Sequence, residues 1–385
     1  MSAPDRTLLE IRVVRGYLSE GDTITVRFGD RREGLPRHAP ADLCEDTFEF
    51  RVLVDPIATF VFQPLPQQPT IRIVPGPPDR WRLVPPTLRR VGERFRLSIK
   101  ADDIWGNPSD QVDTDLVLEP SLPVLGLPET VRFAQGKRSL VLDLLQCDHP
   151  GDLVIDAHDD TGHLARSNPL RIDPVAENPT FWGDLHGQSE ETIGTNSARD
   201  YFLFGRNLAF LDACAHQGND FQITNHFWND LNKITAELNE PGRFITVPGF
   251  EWSGNTALGG GPQCLLLPRG SADPAFLACH APRQFRYRQR HEKPPESCSR
   301  LWRKRVKRRF VPAHCGGRYA DGPSPSRRVL RAFGEVHSAW GTFEWLLHDA
   351  FDMGYRVGTS ATATATRAAR VRPMRRCGAF GPLAD

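Results

Sequence analysis

Hydrophobic and polar residues alternate with a period of two through most of the first 174 positions. "LLEIRVVRG", "DTITVRFGD", "TFEFRVLVDP" and "TFVFQPL" are rich in Val, Ile, Thr and Phe, and each predicts a half-buried strand. The proline-rich piece "PGPPDRW", from Pro75, predicts a boundary. The alternation then resumes in "RFRLSIKADDIWGNPSD", "TDLVLEP", "ETVRF", "RSLVLDLL", "GDLVIDAHD" and "PLRIDP". Short strands separated by Gly, Pro and Asp turns at intervals of about 8–12 residues predict β-sandwich architecture. The expected division is a β-rich domain over 1–74 and a second, sandwich-like domain over 75–178.

At Pro179 the texture changes. "TFWGDLHGQ" predicts a strand with a polar end, and "SARDYFLFGRNLAFLDACAHQG" a helix capped by Ser197, with Phe202, Leu203, Leu208, Leu211 and Cys214 on its apolar side. "DFQITNH" reads as a strand, "DLNKITAELN" as a helix and "RFITVPGFEWS" as a strand. Strand–helix alternation with polar residues at strand ends is the pattern of an α/β sheet or barrel, whose chemistry sits at the C-terminal ends of the strands. This third domain is expected over 179–385. Regular periodicity fails over 262–309, returns in "FVPAHCGGRYAD" and "FGEVHSAWGTFEWLLHDAFDMGYRVG", and is lost again over 359–385.

The net charge of +1 gives neither a membrane surface nor a nucleic acid much to attract. From Ala281 to Arg309, however, 12 Lys or Arg stand against two Glu, so this one segment could hold phosphate backbones, with Phe285, Tyr287 and Trp302 stacking on bases. It lacks helical amphipathicity and interrupts a barrel-like pattern, which argues against a nucleic-acid partner; a solvated insertion is the plainer reading. The eight cysteines form no C-x-x-C pair, which excludes a zinc ribbon. The start has no apolar signal region and no run approaches the 18 or so apolar residues of a membrane span, so a cytoplasmic setting is expected.

Four predicted strand ends carry ligand-type side chains: Asp184 and His186 in "GDLHGQ", His226 in "ITNHFW", Glu251 in "PGFEWS" and His314 in "VPAHCGG". Imidazole and carboxylate together suit Zn, Mn or Fe, and a hydrolytic centre needs several of them to converge. Any one of them alone is more often a hydrogen-bonded structural residue; it is their shared position at strand ends that points to a metal.

"FWGDLHGQS", "ITNHF", "VPGFEW" and "AHCGGRYAD", in that order, resemble the strand-end motifs of the polymerase-and-histidinol-phosphatase (PHP) superfamily, and in particular an uncharacterised bacterial family that places a β-rich region before a PHP-like domain. "DIWGNPSDQV" also resembles a strand–turn segment of bacterial immunoglobulin-like domains. The PHP resemblance implies a distorted α/β barrel with a divalent-metal site that hydrolyses phosphoesters or related small molecules. It implies metal ligation by His186, His226, Glu251 and His314, with Asp184 either a ligand or a group orienting His186. Gln188, Arg318 and His337 become candidate substrate contacts, with Glu335 nearby. Two departures weaken the ligand set: Gln188 replaces the second histidine of H-x-H, and Asn225 replaces the aspartate of T-D-H.

The closing S-D-x-H motif that the resemblance implies is absent, and "TSATATAT" stands in its place. Thr and Ala codons fix their first two bases, as does serine read as TCN, and the frame displaced to each third base permits L-G-N-S-D-G-H. After Gly261, "PQC" permits R-N-V in the same sense. Residues 262–309 and 359–385 therefore read as displaced-frame translation of GC-rich DNA, and the expected fold is an N-terminal β-sandwich, immunoglobulin-like region followed by an incomplete PHP-type α/β barrel. The implied function is that of a metal-dependent hydrolase homologue lacking its closing ligands and impaired in folding and activity. The alternative is a non-catalytic binding protein with a vestigial barrel.

Overall fold

The computed structural model describes residues 9–27, 43–253 except 58, 193, 220 and 221, and the shorter pieces 263–266, 314–315, 333–335, 337–338, 341–342, 344–352, 354 and 358–360. Arg318, most of 262–309 and all but Thr359 and Ser360 of 359–385 lie outside these residues. The chain divides into two compact units, Met1–Asp42 and Leu43–Asp385.

In the first unit, the described residues 9–27 contain a turn at Ser19–Asp22 but no strand. Over these described residues the strands expected in "LLEIRVVRG" and "DTITVRFGD" are not formed. Alternation yields a strand only where a partner takes its backbone groups and a second layer covers its apolar side, and here Leu9, Val14 and Tyr17 are exposed.

The second unit opens with two short ribbons. The strands β1 (Glu45–Glu49) and β4 (Thr70–Ile73) pair antiparallel, as do β2 (Leu53–Val54) and β3 (Gln63–Pro64). Three small sheets follow and share one apolar core. The first has the order β10 (Leu140–Gln146), β7 (Arg94–Asp102), β5 (Arg80–Val84). The second is β11 (Gly151–Leu153), β14 (Leu170–Asp173), β6 (Leu88–Arg90), and the third β13 (Leu164–Arg166), β12 (Ile155–Asp159), β8 (Thr114–Pro120), β9 (Thr130–Phe133). Alternation does here what it should: Phe95, Leu97, Ile99 and Ala101 of β7 all point into the core against Leu116, Phe133, Leu153 and Ile172. Asp103 pins the "DIWGNPSD" loop: its Oδ1 accepts from the Trp105 and Asn107 N–H groups at 2.9 Å and its Oδ2 from the Gly76 N–H at 3.0 Å.

The third part is one seven-stranded sheet. Its order is β15 (Gly183–Gly187), β16 (Ala213–Asn219), β17 (Ile245–Ser253), β18 (Gln263–Leu266), β19 (His314–Cys315), β20 (Phe333–Glu335), β23 (Gly358–Ser360). Only β18 runs antiparallel to its neighbours. The short hairpin β21 (His337–Ser338) and β22 (Gly341–Thr342) stands apart. Helices α1 (Ala198–Asn207) and α2 (Asn225–Leu238) cover one face, where Tyr201, Phe202, Cys214, Phe227, Leu231 and Phe244 form a second core; α3 is Trp345–Asp352. Among the described residues β15 and β23 are the edges, and the sheet does not close into a barrel.

Two sequence expectations are corrected. The helix from Ser197 ends at Asn207, and "ACAHQGN" is the strand β16 rather than its continuation. Conversely, "ITNH" is not a strand end but the start of α2, capped by the Thr224 hydroxyl, which accepts the Phe227 N–H at 3.1 Å.

Candidate functional site

The polar ends of β15, β16 and β17 meet in a buried cluster of Asp184, His186, Gln188, Ser189, His216, Gln217, Asn219 and Glu251. Burying this many polar groups is costly unless each finds a partner, and most do.

His186 Nε2 lies 3.2 Å from Glu251 Oε2, with both side chains almost fully buried. One oxygen of Asp184, Oδ1, accepts the backbone N–H of His186 at 2.9 Å. The Gln188 amide donates to Asn219 Oδ1 at 3.2 Å and accepts from the Thr192 hydroxyl at 3.0 Å, so the loop after β15 is tied to the end of β16.

His216 is fully buried, and its protonation follows from its partners. Nδ1 accepts the Gly218 N–H at 3.2 Å, which leaves the proton on Nε2, 2.8 Å from Ser189 Oγ. Desolvation and the nearby His186 push its pKa down to about 3, so the ring is neutral. Ser189 therefore receives a hydrogen bond from His216, which in this tautomer cannot serve as the base that would activate it as a nucleophile.

Tyr201 of α1 lies fully buried against the same strands, its hydroxyl 3.4 Å from the Asp184 carbonyl and 3.3 Å from that of Ala215. Burial, with Asp184 and Cys214 beside it, raises its pKa well above the usual phenol value, and the hydroxyl stays a donor. Gly187 is required beneath it, because a Cβ there would fall inside the tyrosine ring. Gln217 is the exception to polar pairing: it has no exposed surface, and among the described residues neither amide atom has a partner. Its side chain lies flat on β17 at Gly249, where a Cβ would collide with it.

Of the sequence-predicted metal residues, the structure brings His186 and Glu251 together, with Asp184 alongside. It does not bring His226 to them. His226 sits in the first turn of α2 with its side chain 90% exposed, pairing with Asp230 at 3.0 Å one turn along the helix. His314 and His337 lie on β19 and β21. Gln188 reaches the cluster, but its amide is closed on Asn219 and Thr192. Among the described residues no three His, Cys, Asp or Glu side chains converge as a metal site.

His216, Gln217 and Asn219 escape the sequence reading because β16 reads as helix; Tyr201 lies on a helix the sequence does predict, but nothing in the sequence places its hydroxyl against β15 and β16. The available signal is the Gly218–Asn219 pair directly after a polar His–Gln step, a strand-end pattern like that of "GDLHGQ".

No family model matches the chain. An uncharacterised protein of Chlamydia pneumoniae is 26% identical over 175 residues, covering 44% of this chain and 28% of that protein. A CinA-like protein of Mycolicibacterium gilvum is 26% identical over 170 residues, covering 42% of this chain and 36% of that protein. The chain thus spans only 28% and 36% of these relatives' own lengths. Among solved structures, the PKD domain of an M14-like peptidase from a Thermoplasmatales archaeon superposes with a TM-score of 0.18 at 16% identity, covering 26% of this chain and 99% of that domain. None of these assigns a family.

Proposed function

We propose that the chain is a metal-dependent hydrolase homologue of PHP type, acting on small phosphoester-like molecules in intact relatives and impaired as written. One observation carries this reading: a buried imidazole and carboxylate face each other at 3.2 Å at the C-terminal ends of parallel strands. Two ligands each about 2.0–2.2 Å from one ion, at 90–110°, stand about 2.9–3.5 Å apart. His186 and Glu251 fit the spacing of two ligands on a common ion of Zn, Mn or Fe. Asp184 supports that pair through the His186 N–H. When bound, a divalent ion supplies charge neutralisation at a phosphoryl group and acidifies water.

The fit is partial, since two ligands do not make a closed site. β23 ends at Ser360 on the same end of the sheet as Glu251, where the Asp and His of the displaced frame would begin. The N-terminal sandwich is read as an immunoglobulin-like accessory. The free thiols of Cys44, Cys147 and Cys214 support a cytoplasmic setting, and no helix among the described residues is long and apolar enough to cross a membrane.

Metal-stimulated hydrolysis of bis(p-nitrophenyl) phosphate by the purified chain, with Mn²⁺ or Zn²⁺ and the H186A variant as control, tests the reading. Any turnover that H186A abolishes supports it. Metal bound without turnover fits the impaired chain, whereas turnover that H186A leaves intact contradicts the site. The second reading, a binding protein with a vestigial barrel, is favoured by the Gln188–Asn219 amide pair, which is neutral and satisfied where a multi-metal centre needs charged ligands. It predicts that no metal is taken up.

A further inference from the structure

β15 and β16 are out of simple register at the site. Gly183 and Asp184 lie opposite Ala213 and Cys214, but Gly187 lies opposite His216. Two residues, Leu185 and His186, therefore stand against the single residue Ala215. This is a one-residue bulge, uncommon between parallel strands and typical of places where a side chain is re-aimed.

The bulge decides which face His186 occupies. Side chains alternate, and a one-residue slip transfers a position to the opposite face. In an unbroken ladder His186 would lie opposite His216 and share its face, against Tyr201 and Phe227 of the helix-side core. With the extra residue in place, Gly187 takes that position. His186 then shares a face with Asn219 and Glu251, which are themselves register partners, and Gln188 follows it there.

A bulge strands backbone groups, and buried ones need partners. The His186 N–H goes to Asp184 Oδ1 at 2.9 Å. The carbonyl of Asp184, just before the bulge, and that of Ala215, just opposite it, both face the Tyr201 hydroxyl at 3.4 and 3.3 Å. Gly187, the residue just after the bulge, is where the absence of a Cβ admits the tyrosine ring.

We propose that Tyr201 is a positioning residue: wedged between β15 and β16, it holds the bulge that turns His186 onto the face of Glu251, with Asp184 securing the bulge from within the strand. Its bearing on metal binding rests on the proposed function; its bearing on the placement of His186 does not.

The test is Co²⁺ titration of the full chain, followed by visible absorption, for wild type and Y201F, together with the His186 ring-proton NMR signal of each without metal. Loss of a group that orients a ligand typically weakens metal affinity about 10–100-fold, so Y201F is expected to bind Co²⁺ at least about tenfold more weakly, with a changed d–d spectrum and a shifted His186 signal. A merely structural tyrosine would lower thermal stability and leave all three unchanged, and that result overturns the proposal. Should wild type bind no Co²⁺, the proposed function fails, and the NMR comparison alone decides the positioning role: an unshifted signal overturns it. Should Y201F not fold, D184N and D184A replace it. The asparagine oxygen can still accept the His186 N–H, so D184N is expected to bind Co²⁺ at least about tenfold tighter than D184A and to keep the His186 signal closer to that of wild type. Equal values in the two variants overturn the proposal.

Discussion

Mild acid should destabilise the seven-stranded sheet through one residue. His216 is neutral in the fold with a pKa of about 3, against an ordinary value of 6.5. A depressed folded-state pKa means that the unfolded chain takes up a proton the folded one refuses. The stabilisation is thus complete above about pH 6.5 and is lost progressively as pH falls from there toward 3. Each pH unit inside that window costs about 1.4 kcal/mol, so going from pH 7.5 to 5 removes about 2 kcal/mol, a sizeable part of the 5–15 kcal/mol typical of a domain. The assay is urea denaturation at pH 7.5, 6.5, 5.5 and 5.0, comparing wild type with H216N. The asparagine oxygen can still accept the Gly218 N–H but cannot titrate. H216N is expected to be less stable at neutral pH, yet its stability should fall with acid less steeply by about 1.4 kcal/mol per pH unit. With a urea m-value of about 1–3 kcal/mol/M, the wild-type midpoint should drop by about 0.7–2 M more than that of the variant. Parallel pH profiles would refute the depressed pKa of His216.

Three further outcomes follow from the same geometry. Q217M should raise stability in the absence of ligand by about 1 kcal/mol, because an apolar side chain of similar shape removes two buried atoms that have no partner among the described residues; a fall in the thermal midpoint would mean that the amide has a function in the unliganded fold. H226A should leave metal affinity unchanged and stability within about 0.5 kcal/mol, since it removes only an exposed side-chain contact with Asp230 on the helix surface; a large loss of metal binding would restore His226 as a ligand. Resequencing the gene from the codon for Asn255 to about 150 bases past that for Asp385 should show single-base displacements restoring R-N-V and S-D-G-H, and DNA that stands as given would remove the displaced frame from the account.

The β-sheets of residues 75–174 are legible because apolar and polar side chains alternate along the strands: β8 has one buried and one more exposed face, and β7 keeps the alternation in sequence although its Ser98, Lys100 and Asp102 are buried as well. The same alternation misleads over residues 9–27, where among the described residues Leu9, Val14 and Tyr17 are left exposed. β16 was illegible for the opposite reason. In "ACAHQGN" both faces are buried and the residues are small or polar, so no period of two survives and the preceding helix seems to run on. With β16 reading as helix, the next apolar stretch reads as a strand ending at His226, although Thr224 is a proper helix cap. His186 and Glu251 were found because each ends its strand in a recognisable polar step. Their mutual approach could not be read from spacing, since it depends on a bulge whose stabilising tyrosine lies 15 residues further along the chain, on a helix.

The central claim is that His186 and Glu251 together hold a divalent ion, and calorimetric titration of Zn²⁺ into the metal-free chain tests it most directly. The account predicts saturable binding of about one ion per chain, with proton release as expected for a histidine-containing site, and its loss in E251Q. Binding that is absent in wild type, or that survives in E251Q, would contradict it.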